Sequence, residues 1–261
     1  MLTVNPEDFN RDTLVGALGQ AFFSLSVGMG IMVTYGSYVP KKENLVKSAA
    51  WICFLDTMVA ILSAFAIIPV VFVTLGAEGL GMGGGFAFMA LPEVFAGFPG
   101  GVLFGLAFFI LLFLAALTSA ISILESCCAF ITEEWKASRL KAAVGLSVPM
   151  ALLSAGYSLS QSAARGINLP WFDFADGLQM LPMNAVMEKF TDNLMIPVGA
   201  FFFCIFTGWV WGIGKAEAEI EAEGSCRFGL KRLWGAIVKF VAPAFILVIL
   251  YFTVGKGQGL S

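Results

Sequence analysis

Six apolar runs, each near the length of a membrane crossing, constrain this chain more than anything else in it. They fall at about 13–39, 45–76, 99–132, 141–159, 190–213 and 231–254. Hydrocarbon offers a backbone amide or carbonyl no water. A crossing segment must therefore satisfy its own polar groups, which a helix does. The expected fold class is an all-α polytopic membrane protein with six transmembrane helices. Composition agrees: 59% of the residues are hydrophobic and 13% are charged, where a soluble domain carries about 25% charged residues. The second and third runs exceed one crossing, which implies tilt or helices that continue past the membrane face.

The first run is interrupted at its centre. Between Gly19 and Tyr38, the order Ser24-Leu25-Ser26-Val27-Gly28-Met29-Gly30 puts serines and glycines at mid-membrane depth. A broken helix survives there only where protein or a watery cavity takes up the freed carbonyls and amides. In transporters such discontinuous helices hold the substrate and its coupling ions. The same small residues also suit a helix-packing face, because they let backbones approach closely. Spacing leaves both readings open.

Loop charges set the expected orientation. Lys41, Lys42 and Lys47 follow the first run, Lys136, Arg139 and Lys141 the third, and Lys215, Arg227, Lys231 and Arg232 the fifth. The Gly76–Gly100 connection has no Lys or Arg, and the Ser160–Lys189 connection has only Arg165 and Lys189. By the positive-inside rule the first, third and fifth turns are cytoplasmic, so both chain ends lie outside. Residues 1–12 form a polar extracellular lead without an apolar signal core. An outside N-terminus of that kind leads us to expect further membrane segments before Met1. The Gly76–Gly100 connection is too apolar for a water loop and is expected to fold back as a short helical cap. The Ser160–Lys189 connection carries Pro170-Trp171-Phe172-Asp173-Phe174, whose rings suit the membrane interface.

Several function classes are disfavoured. The chain has no histidine, which removes the commonest general base and metal ligand. It has no paired-aspartate signature and no nucleophile beside a base, so no enzyme and no cofactor are expected. Cys53, Cys127, Cys128, Cys204 and Cys226 lack metal-ligand spacing. Four of them lie in apolar runs, where a reduced cysteine acts as a small hydrophobe. No basic face interleaved with aromatic rings offers itself to nucleic acid.

Charge inside a membrane is costly and points to function. Asp56 lies within the second run. Its carboxyl either bonds a neighbouring helix or ligates a cation, since hard cations take carboxylate, hydroxyl and carbonyl oxygens. In the third run, Thr118 and Ser119 follow Ala115 by three and four residues, which puts one carbonyl and two hydroxyls on one helix face. A dehydrated sodium ion fits that oxygen set. Hydroxyls bonded back to their own helix fit it too. Glu125 is a second buried-acid candidate, and Glu133-Glu134 mark the cytoplasmic end of the run.

Five segments together carry a resemblance: Gly19-Gln-Ala-Phe-Phe-Ser-Leu-Ser-Val-Gly-Met-Gly with Thr34-Tyr-Gly-Ser-Tyr38, Leu55-Asp-Thr57, Leu117-Thr-Ser119, Asn193-Leu-Met-Ile-Pro-Val-Gly199, and Thr207-Gly-Trp-Val-Trp211. Over nearly its whole length the chain resembles the C-terminal half of a neurotransmitter:sodium symporter, of the bacterial type that ends after its eleventh span. Broken helices and inverted repeats are that family's own devices. The resemblance implies that 13–213 is the second five-helix repeat of the leucine-transporter fold. Residues 214–261 would then be a cytoplasmic loop and a last transmembrane helix.

It also implies residue roles. Phe23 is the aromatic lid over the substrate, and Ser24 ligates a first sodium with Asp56 beside it. Ser24, Ser26 and Met29 line the substrate pocket, with Ser119 and Ile123 on its far wall. Ala115, Thr118 and Ser119 hold a second sodium. Tyr38 and Glu133 belong to the cytoplasmic gate. The outer-gate acid is Glu188 by ungapped matching through Pro197, with Asp176 as the alternative. Chloride-dependent members carry a hydroxyl one helical turn after Asp56. Here Ala60 stands at that position, which argues against a chloride site, although Asp56 could supply negative charge itself.

The implied activity is sodium-coupled symport of amino acids or related amines in the cell (plasma or inner) membrane. The implied partners are sodium, such a substrate, the lipid bilayer and the N-terminal half with its first five helices. The other reading is a non-transporting fragment, or a half that assembles with a separately encoded N-terminal half.

Overall fold

The need to close backbone hydrogen bonds inside hydrocarbon makes almost all of the regular structure helical. The computed structural model describes residues 11–79, 86–97, 99–161, 168–173, 177–221 and 228–255. Within them the elements are α1 Arg11–Ser24, α2 Ile31–Tyr38, α3 Leu45–Gly79, α4 Phe86–Ala96, α5 Gly101–Glu134, α6 Arg139–Gln161, β1 Asn168–Asp173, β2 Gly177–Pro182, α7 Met183–Glu188, α8 Ile196–Ile205, α9 Ile213–Ile220, α10 Lys231–Ala236 and α11 Ala242–Gly255. Wider π-helical stretches at Lys189–Met195, Phe206–Gly212 and Ile237–Val241 link α7 to α8, α8 to α9 and α10 to α11.

Among the described residues, five helical stretches are long and apolar enough to cross a membrane: Leu45–Gly76, Gly101–Glu134, Arg139–Ser160, Met183–Ile220 and Lys231–Thr253. The first apolar run forms no single long helix, because it is split into α1 and α2, of 14 and 8 residues. The Gly76–Gly100 connection holds the helix α4. The Ser160–Lys189 connection differs from the aromatic loop expected. There, β1 and β2 pair antiparallel, with Asn168 opposite Pro182 and Trp171 opposite Gln179.

The chain divides into two compact units. One comprises the residues up to Ser48 with those from Ile123 to Leu260, and the other is Ala49–Ser122. In the second unit α4 is seated on the start of α5. A Cβ on Gly101 would overlap the backbone carbonyl of Phe95, and one on Gly105 would lie 3.1 Å from the Phe95 ring. Phe88 stacks on Phe109 with ring centroids 5.9 Å apart.

In the first unit α8 packs against α11. Ile246 and Ile249 of α11 and Pro197 of α8 are fully buried. The last two spans are also tied through a backbone. The indole N–H of Trp209 donates to the Lys239 carbonyl at 3.3 Å. The Lys239 ammonium lies 4.4 Å from the Trp209 ring centroid.

Candidate substrate and ion site

The site is built on the opening between α1 and α2, and the sequence makes that opening locally. Val27 N–H donates to the Phe22 carbonyl at 3.0 Å and Ser26 N–H to the Phe23 carbonyl at 3.1 Å. Those two bonds are the paired cap that finishes a helix whose next residue turns left-handed. Ser26 takes that conformation, with φ 53, a position where most side chains are strained. Gly28 at φ 95 and Gly30 at φ 80 carry the chain onward. The Gly30 carbonyl then accepts from Val33 N–H and Thr34 N–H, both at 3.1 Å, and α2 begins.

The same small residues also pack closely, so the stretch both breaks the helix and makes a packing contact. A Cβ on Gly28 would overlap the Ile196 carbonyl oxygen and would lie 3.0 Å from the Ala200 nitrogen. A Cβ on Gly199 would overlap the Gly28 carbonyl oxygen. The opened chain therefore rests directly on the backbone of α8.

The expected site residues fall as follows. Phe23 and Ser24 form the end of α1, with Phe23 half exposed, and Ser26 and Met29 lie in the opening itself. Asp56 stands half-buried on α3, and Ala115, Thr118 and Ser119 stand on α5, all in the second unit. Ile123 is the residue at which α5 enters the first unit. Ser24 and Asp56 thus belong to different units. The Thr118 hydroxyl donates to the Ala115 carbonyl at 2.8 Å, and the Ser122 hydroxyl to the Thr118 carbonyl at 2.9 Å. Two of the three oxygens expected around the second sodium are therefore together, in the back-bonded arrangement that helix chemistry favours.

At the end of α2, the Tyr38 hydroxyl donates to Oε1 of Glu125 at 2.7 Å. Arg139 donates to the same oxygen as an ion pair. Glu133 is exposed, and among the described residues the acid bonded to Tyr38 is Glu125. The Thr34 hydroxyl lies 3.4 Å from Ser126 Oγ, one residue further on. Glu188 accepts a hydrogen bond from the Tyr157 hydroxyl of α6. Asp176 lies outside the described residues. Sequence reasoning missed Arg139 and Tyr157 as partners of these acids. Arg139 was legible only as one more basic loop residue, and Tyr157 only as one polar group near a helix end.

A helix opened around seryl and glycyl backbone, in a chain of long apolar helices, is a device of secondary transporters as a class. A sequence model of the Sodium:neurotransmitter symporter family matches residues 8–260, and the chain belongs to that family. It is accordingly a multi-pass membrane protein of a transporter family, not an enzyme. It is similar to an uncharacterized sodium-dependent transporter, YhdH, of Bacillus subtilis, with 30% identity covering 95% of this chain and 52% of the relative. An uncharacterized sodium-dependent transporter of Haemophilus influenzae is 32% identical, over 93% of this chain and 51% of its own. Among solved structures, MhsT in complex with L-phenylalanine superposes with a TM-score of 0.79 at 35% identity, covering 90% of this chain and 50% of MhsT. The chain spans about half the length of these relatives.

Proposed function

We propose that this chain is the second half of a sodium-coupled symporter of amino acids or related amines. The observation that carries the reading is the self-capped opening at Ser26–Gly30, seated on α8. The family match and the sodium-dependent transporters among the relatives support sodium as the coupling ion. The L-phenylalanine bound to MhsT supports an amino-acid substrate. Met29 and Ile123 would give an apolar slot for its side chain.

In this reading, residues 13–213 are an inverted five-helix repeat, α1 and α2 together make one crossing, and the segment ending in α11 is a sixth. Residues 1–12 lie outside as a polar lead, and 214–261 hold a cytoplasmic loop and the last crossing. Ser24 and Asp56 ligate one sodium ion. Ala115, Thr118 and Ser119 ligate another, with the ion replacing the hydrogen bond from Thr118 to Ala115. Phe23, Ser24, Ser26, Met29, Ser119 and Ile123 surround the substrate. Tyr38 and Glu133 serve the cytoplasmic gate, with Glu125 joining them, and Glu188 serves the outer gate. Sodium and substrate share oxygens of one site, so each favours binding of the other by the same factor.

The test is binding of radiolabelled amino acids to membranes holding this chain together with the five helices that the family places before it. Saturable, sodium-dependent binding is expected. Asp56→Ala is expected to raise the sodium requirement about tenfold or more, the cost of losing one buried charged ligand. Binding that saturates without sodium, or sodium activation unchanged in Asp56→Ala, overturns the proposal.

A second reading is a non-transporting fragment, or a half that assembles with a separately encoded N-terminal half. Scintillation proximity binding with the purified chain alone separates the cases. No sodium-coupled binding is expected from residues 1–261 by themselves, since in the proposed reading the first five helices supply the other part of each site.

A further inference from the structure

We propose that Gly199 is a positioning residue for the opened helix. It sets the depth at which Ser24–Gly30 rests and, through that depth, the affinity of the site. The inference rests on the functional reading above, which places the ligands on that stretch.

The contact is main chain against main chain, seen from both sides. A Cβ on Gly199 would overlap the Gly28 carbonyl oxygen and sit 3.2 Å from its carbonyl carbon and 3.5 Å from its Cα. A Cβ on Gly28 would sit 3.0 Å from the Ala200 nitrogen and 3.2 Å from the Ala200 Cβ. Gly28 needs glycine for its backbone angle as well, with φ 95. Gly199 does not, since it lies inside the regular helix α8. Alanine is the better helix former there, so the space is what selects glycine.

The two sides of the contact differ in how far they can move. α8 is held: Ile196 and Ala200 are buried at 5% and 1% exposure, and Ile246 and Ile249 of α11 at 0%. Close-packed interiors transmit strain rather than absorb it. The opening lacks helical bonds between Val27 and Gly30, and its left-handed residues are separated by single residues. A methyl group added at 199 therefore displaces the opening, not α8. Ser26 and Met29 lie within two residues of Gly28, so their main chain follows it.

The experiment uses the chain assembled with the five preceding helices, carrying Gly199→Ala, Gly36→Ala or Ala200→Gly. Gly36 is a helical glycine with open space around it and serves as the control. Sodium and amino-acid affinities are measured per folded molecule. In a background with the native cysteines replaced, the maleimide labelling rate of Leu25→Cys reports the position of the opening without any transport.

Gly199→Ala is expected to weaken both affinities about tenfold, as a one-methyl overpacking does, and to change the labelling rate severalfold. Gly36→Ala should change neither. Ala200→Gly removes the methyl that faces Gly28, leaves room, and should change the labelling rate even where Gly199→Ala yields no folded protein. Labelling equal to that of the control in both Gly199→Ala and Ala200→Gly overturns the proposal. If the parent protein binds no amino acid in a sodium-dependent way, the functional reading fails while the labelling still decides on Gly199.

Discussion

Tyr38 and Glu125 are hydrogen-bonded at 2.7 Å although 87 residues separate them in the chain. The bond ties the last residue of α2 to α5, so the half of the broken helix beyond the opening is anchored at its far end. The Arg139 guanidinium that shares Glu125 is 71% exposed, whereas the Glu125 side chain is only 19% exposed. Exposed ion pairs contribute little.

Tyr38 is 54% exposed and so better covered than Arg139, which sets the order of effects. Tyr38→Phe keeps the ring and removes only the donor, and should lower the thermal midpoint of the protein in lipid more than Arg139→Gln does. Differential scanning fluorimetry of the two variants checks it. A larger loss in Arg139→Gln would mean that the ion pair, not the tyrosine, holds α2.

Replacing Thr118 and Ser119 together by alanine should abolish the rise in thermal midpoint that sodium produces. Two of the ion's proposed oxygens go, while the packing of α5 barely changes. If sodium still stabilises the double variant as it does the parent, those hydroxyls serve only their own helix.

Gly101→Ala should destabilise the protein by about 1–3 kcal/mol, the usual cost of overpacking a filled contact. Its methyl would enter the Phe95 carbonyl, a backbone group that cannot rotate away. Gly145 of α6 faces open space, and Gly145→Ala should be neutral or stabilising by up to about 1 kcal/mol from helix propensity. Denaturant titration in mixed micelles distinguishes the two glycines.

Trp209→Leu should cost about 1–2 kcal/mol, from the indole hydrogen bond to the Lys239 carbonyl and the ring beneath the ammonium. Lys239→Met should cost less, since the carbonyl that accepts from Trp209 remains. Equal losses in the two variants would assign the whole tie to the cation.

How much of this was legible depended on whether a local or a distant interaction decided it. The long apolar helices α3, α5 and α6 and those of the last two runs were readable, because hydrocarbon admits little else over such runs, whereas α7 and most of α9 fell in stretches read as connections. The opening was readable as small residues at mid-membrane, although whether they broke the helix or packed it was not. Both turned out true at Gly28. The sequence named no partner for Tyr38, and the acid that it bonds is Glu125. Glu125 and Glu133 lie eight residues apart, and a tertiary approach, not periodicity, chooses between them. The hairpin of β1 and β2 was missed because Trp171 and Phe172 look alike whether they serve a strand or an interfacial loop. The π-helical stretches carry no compositional mark at all.

The cap formed by Ser26 and Val27 bears on how the site comes into being. The end of α1 is completed by amides from the next three residues, so its last carbonyls are met from within the chain. A ligand bound there, as proposed, would meet a main chain already bent and spend no free energy on unwinding a helix, which is the advantage of preorganisation. The opening is in that sense a standing socket, shaped by its own backbone bonds.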